Sequence, residues 1–113
     1  MNLSDSGPQP VVLRFAGPLL AVTEADTVKE AINSHLRAGT VRLILDLTDV
    51  EFMDSTMIGV LMASQRRLEG FGGALHLASV AEPIQRVLMV LGLQASLRVY
   101  PDVEGAQRGF ERP

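Results

Sequence analysis

The sequence predicts an α/β domain, because alternating apolar strands interleave with amphipathic helices of about ten to fifteen residues and glycine or proline punctuates most junctions. Three stretches carry that reading. "VRLILDL" puts Val41, Leu43, Leu45 and Leu47 on one strand face and Ile44 on the other, as expected of a central strand covered on both sides. Met57, Ile58, Leu61 and Leu68 then recur at helical spacing. "ALHLAS" returns to strand alternation before Pro83 opens another helix. The expectation is a single domain with a mixed β-sheet of four to five strands and helices packed mainly on one face.

In chain order, residues 1–10 are polar, with Gly7, Pro8 and Pro10, and are expected to form a flexible N-terminal arm. The domain is expected over 11–108, followed by a polar tail over 109–113. Val11, Leu13 and Phe15 share one face of the first strand, with Arg14 on the other. Gly17 and Pro18 end it, and "LLAV" follows as a second short strand. Thr23 is the expected N-cap of the first helix, with Asp26 in capping-box spacing. Val28, Ile32 and Leu36 make that helix's apolar stripe, and Gly39 stops it. After "VRLILDL" a loop leads to a helix from Ser55 to about Glu69, ended by "GFGG". A helix from Pro83 to Leu91 ends at Gly92, and "SLRVY" is the last strand.

Composition narrows the functions. The chain has 113 residues, 47% apolar but only 4% aromatic, so its core must be aliphatic. A net charge of −3 supplies no basic field for nonspecific nucleic-acid or anionic-membrane binding. The absence of cysteine excludes disulfides, thiolate zinc sites and cysteine nucleophiles. No apolar run approaches the roughly 20 residues of a membrane span. "MNLSDSGPQP" lacks the basic start and apolar core of a secretion signal. A cytoplasmic domain without membrane insertion is expected.

"EFMDSTMIGVL" is the unusual stretch, with an acid, two hydroxyls and a glycine set among apolar residues. On a helix starting near Ser55, the sector opposite the buried stripe holds Ser55, Gly59, Met62, Ala63 and Arg66. That sector has small residues, a flexible apolar one and a single charge, unlike an ordinary solvated face. Gly59 costs the helix about 1 kcal/mol relative to alanine. Asp or Ser at a helix start is most often only a cap. The three features together on one face mark a candidate docking surface.

Catalytic and metal chemistry finds little support. Ser55, His35 and Asp46 could be read as a triad, but "G-x-S-x-G" is absent and His35 lies near the polar end of a helix. His76 alternates with Leu75 and Leu77 on a strand, and two isolated histidines make no metal site. No "G-x-x-x-x-G-K-[ST]" or "G-x-G-x-x-G" cradles phosphates, and "GFGG" reads as a helix terminator. Asp46 and Asp49 lack the acidic pair at the first strand that a phospho-acceptor receiver would need. A protein that is not an enzyme and holds no cofactor is expected.

The stretch "LDLTDVEFMDSTMIGVLMASQRRLEGFGGALHLASVAEPIQRVLMVLGL" resembles the STAS domain of bacterial anti-sigma factor antagonists. The family's hydrophobic–Asp–hydrophobic strand end is matched by Leu45, Asp46 and Leu47. Its "MDSSGLG" or "MDSTGLG" loop is matched by Met53 through Gly59, its Gly-Gly by Gly72 and Gly73, and its Pro-opened helix ending in "GL" by Pro83 through Leu93. The likeness covers about residues 11–108 and is strongest over 43–93. It implies a protein that binds an anti-sigma factor serine kinase and so frees a sigma factor. It also implies phosphorylation of Ser55, with Thr56 the adjacent alternative, release of the phosphorylated form, and a phosphatase that restores it. Asp54, Ser55, Thr56, Gly59, Met62, Ala63 and Arg66 are the expected partner-binding residues, on a monomer or weak dimer. Two positions depart from the family: Met57 stands where glycine is frequent, and Leu20 where many members carry an acid. Glu24 or Asp26 could take over that acid's role. The rival reading is a STAS subunit of another complex, beside a lipid-transport ABC ATPase or in a stress-sensing assembly.

Overall fold

The computed structural model describes residues 9–111, so the expected arm lies mostly outside the described residues. The elements run β1 (Val11–Arg14), β2 (Leu19–Leu20), a 3-10 turn (Val22–Glu24), α1 (Ala25–Arg37), β3 (Arg42–Asp46) and β4 (Phe52–Met53). They continue as α2 (Ser55–Gly70), β5 (Ala74–Ala78), α3 (Glu82–Val90), β6 (Arg98–Tyr100) and α4 (Val103–Arg108). Four strands form one sheet in the order β1-β3-β5-β6, and β2 pairs with β4 separately.

The α/β class and the helices gathered mainly on one face are as the sequence predicts. The expected mixture of strand directions is corrected: every strand pair among the described residues is parallel. The cause is the connections, since helical crossovers return the chain to the end at which it started. The "VRLILDL" segment is central as expected, with Leu43, Leu45 and Leu47 wholly buried on one side and Ile44 wholly buried on the other.

Leu43, Leu45, Leu75 and Leu77 meet Val28 and Ile32 of α1, Met57, Leu61 and Leu68 of α2, and Ile84 and Leu88 of α3 in one aliphatic core. The opposite face holds a smaller cluster of Ile44, Ala78 and Ala106 with Tyr100, Val103 and Phe110 packed against it. Here the sequence reading needs correction. Residues 103–108 form α4, capped by Asp102, whose Oδ1 accepts from the Gly105 N–H at 2.7 Å. Phe110, expected in a polar tail, stacks on His76 with ring centroids 3.8 Å apart.

The entry to α1 also differs from expectation. Thr23 lies inside the 3-10 turn and does not cap α1. Glu24 closes that turn instead: its Oε1 accepts from the Ala21 N–H at 2.8 Å while its own N–H donates to the Ala21 carbonyl at 2.9 Å. The hydroxyl of Thr23 donates to the other Glu24 oxygen at 2.6 Å. These bonds, Thr23's first, hold the Glu24 carboxyl below its usual range.

Candidate functional site

The candidate site is assembled by the β2–β4 pair. Both Glu51 and Phe52 donate backbone N–H groups to the Pro18 carbonyl, and Asp54 donates to that of Leu20 at 3.2 Å. Leu20 and Met53 are register partners and are buried. Their neighbours Leu19 and Phe52, also partners, are about half exposed. An acid at position 20 would lie in the core here, so Leu20 is consistent with this chain's own packing. Neither Glu24 nor Asp26 occupies that place: Glu24 is spent on the 3-10 turn, and Asp26 lies in the first turn of α1.

Asp54 is the N-cap of α2, and both of its carboxylate oxygens are committed to backbone. Oδ1 accepts from the Met57 N–H at 2.9 Å and Oδ2 from the Val22 N–H at 2.9 Å. One side chain therefore caps α2 and fastens the 3-10 turn to it. With capping done by Asp54, Ser55 becomes the first helical residue rather than the cap. Ser55 and Thr56 are exposed, and neither hydroxyl has a hydrogen-bond partner among the described residues. The first-turn N–H groups beside them have no intrahelical acceptor and create a positive end for the helix dipole.

The helix faces the way its spacing predicts. Met57, Ile58, Leu61 and Leu68 are buried, joined by Val60, Ser64 and Gln65. Ser55, Gly59, Ala63 and Arg66 are exposed, and Met62 is half-buried. A Cβ built on Gly59 would meet nothing within 4 Å, so this glycine serves no internal packing. Gly73 shows the contrary case, since its Cβ would sit 1.8 Å from the Val41 carbonyl oxygen. The open surface at Gly59 admits close approach from outside.

The periodicity did not reveal Leu19, Val22 and Phe52, exposed apolar residues carried by the segments that hold Asp54. Their grouping depends on a pairing of two-residue strands and a side-chain bond spanning 32 residues, for which no local pattern exists.

The alternative triad is not assembled. Asp46 accepts from the Thr48 N–H and hydroxyl at 3.1 and 2.5 Å, with Arg14 at 3.9 Å. No hydrogen bond joins it to His35 or Ser55 among the described residues. His76 is buried, and its Nδ1 lies 3.1 Å from the Ala106 carbonyl oxygen, which accepts its proton. Among the described residues no group of three or more His, Cys, Asp or Glu side chains could hold a metal ion. No helix there is long and apolar enough to cross a membrane.

Comparison with known proteins gives the same architecture. The STAS domain family model matches residues 5–106. An anti-sigma-B factor antagonist of Listeria monocytogenes is 32% identical over 94 residues, covering 83% of this chain and 81% of its own. An anti-sigma F factor antagonist of Paenibacillus polymyxa is 26% identical over 102 residues, covering 89% and 86%. The crystal structure of an anti-sigma factor antagonist from Mycobacterium paratuberculosis superposes with a TM-score of 0.79 at 22% identity, covering 93% of this chain and 89% of that one; this likeness bears on the fold. The match spans the parallel sheet, the β2–β4 pair and the helix that begins at Ser55, and the chain belongs to the STAS domain family.

Proposed function

We propose that this protein is an anti-sigma factor antagonist that docks a serine-kinase anti-sigma factor through the start and outer face of α2 and is released by phosphorylation of Ser55. The observation that carries the reading is the division of labour between neighbours. Asp54 uses both oxygens on backbone N–H groups, so the exposed Ser55 hydroxyl has no holding role. Thr56 is also exposed, one position further along. The low relief of Gly59 and Ala63, with Met62 and Arg66 beside them, gives a partner close contact with the first three turns. The partner brings ATP and magnesium, a phosphatase resets the serine, and the protein itself catalyses nothing. A cytoplasmic location follows from that partnership.

The switch acts through the interface. A phosphoryl group adds about −1.5 to −2 charges at neutral pH. The helix N-terminus favours that charge by roughly 0.3–1 kcal/mol, and Asp54 opposes it. The fold therefore survives, while a partner packed against α2 must desolvate a dianion. A loss of about 2.7 kcal/mol at that contact weakens binding about a hundredfold.

Calorimetric titration of the anti-sigma factor with phosphorylated and unphosphorylated protein tests this, with phosphopeptide mapping of Ser55→Ala and Thr56→Ala. The expected result is one phosphate on Ser55, an unchanged melting transition and affinity lower by about a hundredfold. Equal affinities, or label that persists in Ser55→Ala, overturn the proposal. Capture of a transporter ATPase in place of a kinase-like anti-sigma factor would favour the rival STAS subunit.

A further inference from the structure

The strands' N-terminal ends, opposite the end from which Ser55 begins, carry a second feature. Arg42, Ala74 and Arg98 are the first residues of β3, β5 and β6. The register sets Arg42 beside Ala74, Ile44 beside His76, and His76 beside Arg98. Side chains alternate along a strand, so Arg42, Ala74, His76 and Arg98 all rise from the face that α4 partly covers. Beside the small Ala74, on the strand between those of the two arginines, lies a concavity of about 270 Å³, open to solvent and flanked by Gly72, Gly73 and Phe110. One water needs roughly 10–15 Å³ of such space, so the concavity has room for a small ligand.

The charges in this cleft are unbalanced. Arg14, Arg37 and Arg86 each hold a carboxylate; Arg42 and Arg98, like Arg66, Arg67 and Arg108, have no such partner among the described residues, but only Arg42 and Arg98 share a cleft. Glu69 also lines the cleft with its negative charge, so two cations there outnumber one anion. Its carboxylate accepts from Gln65 Nε2 at 3.1 Å, which turns it toward a side chain itself fixed by the Leu75 N–H at 2.6 Å. Burial, with Arg98 adding to it, lowers the His76 pKa, so the ring contributes no charge near neutrality. Two arginines and one glutamate therefore line one hollow, which is net positive in a chain whose net charge is −3.

We propose that the cleft between Arg42 and Arg98 binds a compact, multiply charged oxyanion of the phosphate class. Each guanidinium offers a planar fork of N–H donors suited to paired oxygens, and an anion between them relieves their mutual repulsion. Diphosphate, with oxygens at both ends, suits two forks better than a single phosphate.

Backbone-amide NMR titration of the full chain with inorganic phosphate and pyrophosphate, at ionic strength held constant with sodium chloride, tests the site. The expected result is saturable shifts at Gly72, Gly73, Ala74 and Phe110, tighter for pyrophosphate. Arg42→Gln and Arg98→Gln should each weaken binding by about tenfold, with Arg98→Lys between. Unchanged melting curves establish that these variants fold, and Ser55→Ala should bind as the parent does, whatever its behaviour toward an anti-sigma factor. Shifts that drift without saturating, or that are the same in both glutamine variants, overturn the proposal.

Discussion

The sheet face under α1, α2 and α3 presents Leu43, Leu45, Leu75 and Leu77, all wholly buried, whereas the face under α4 presents Ile44, His76 and Ala78. The first side is sealed by three helices of 13, 16 and 9 residues, the second by one of six and the rings of Tyr100 and Phe110. The difference teaches where stability and adaptability are kept. A helix with a dry, redundant inner contact can leave its outer side small and open, as α2 does at Gly59. A thin cover makes contacts that can be lost without unfolding the rest.

The largest expected effect is on the thick side. Leu77→Ala should cost about 2–5 kcal/mol through lost burial and the cavity left behind. Phe110→Ala, on a half-buried ring, should cost less. Urea titrations measure both, and hydrogen exchange sharpens the contrast: the first variant should raise exchange everywhere, the second chiefly in α4. Equal exchange profiles would show that the two faces open as one unit.

A smaller effect separates the faces by pH. The buried His76 ring has its pKa pushed below the ordinary 6.5 by desolvation, against the Ala106 hydrogen bond and with Arg98 reinforcing the shift. The unfolded chain therefore binds a proton at a pH where the folded chain does not. Its contribution is complete above about pH 6.5 and declines as pH falls from there toward the lowered folded value. Melting temperature should fall between pH 7 and pH 5.5, and His76→Gln, with an amide that can still reach the Ala106 carbonyl, should flatten that change. The Glu24 carboxyl contributes in the same direction only at lower pH, since its folded value lies below 4.5.

The smallest expected change in stability comes from Gly59→Arg. The side chain enters open space and replaces a poor helix former, so the melting temperature should hold or rise by an amount worth less than about 1 kcal/mol. Binding to an anti-sigma factor should nevertheless be lost by bulk. Unfolding of this variant would show that the outer sector of α2 is packed after all.

What the sequence disclosed follows from the range of the interactions involved. The orientation of α2 was legible because burial at Met57, Ile58, Leu61 and Leu68 repeats at helical period. Ile44 disclosed the central strand for the corresponding reason of alternation. The start of α1 was not legible at Thr23, because the turn before it is fixed by Glu24 locally and by Asp54 from 32 residues away. α4 has six residues, too few to show a period, and contains Gly105, so no helix was legible there. At the candidate site, the exposed face was legible, but Leu19 and Phe52 were not, since β2 and β4 have two residues each.

The double attachment of Asp54 bears on how such a domain would transmit a signal. Its two oxygens already hold α2 and the neighbouring turn in place before any modification. Under the proposed switch, Ser55 modification would require no rearranged backbone, and each molecule would be either competent to dock or not. A population of such molecules would then report its modified fraction in direct proportion, with no threshold and no hysteresis of its own. Any sharpness in the cellular response would have to arise from stoichiometry, when the last free partner is titrated away.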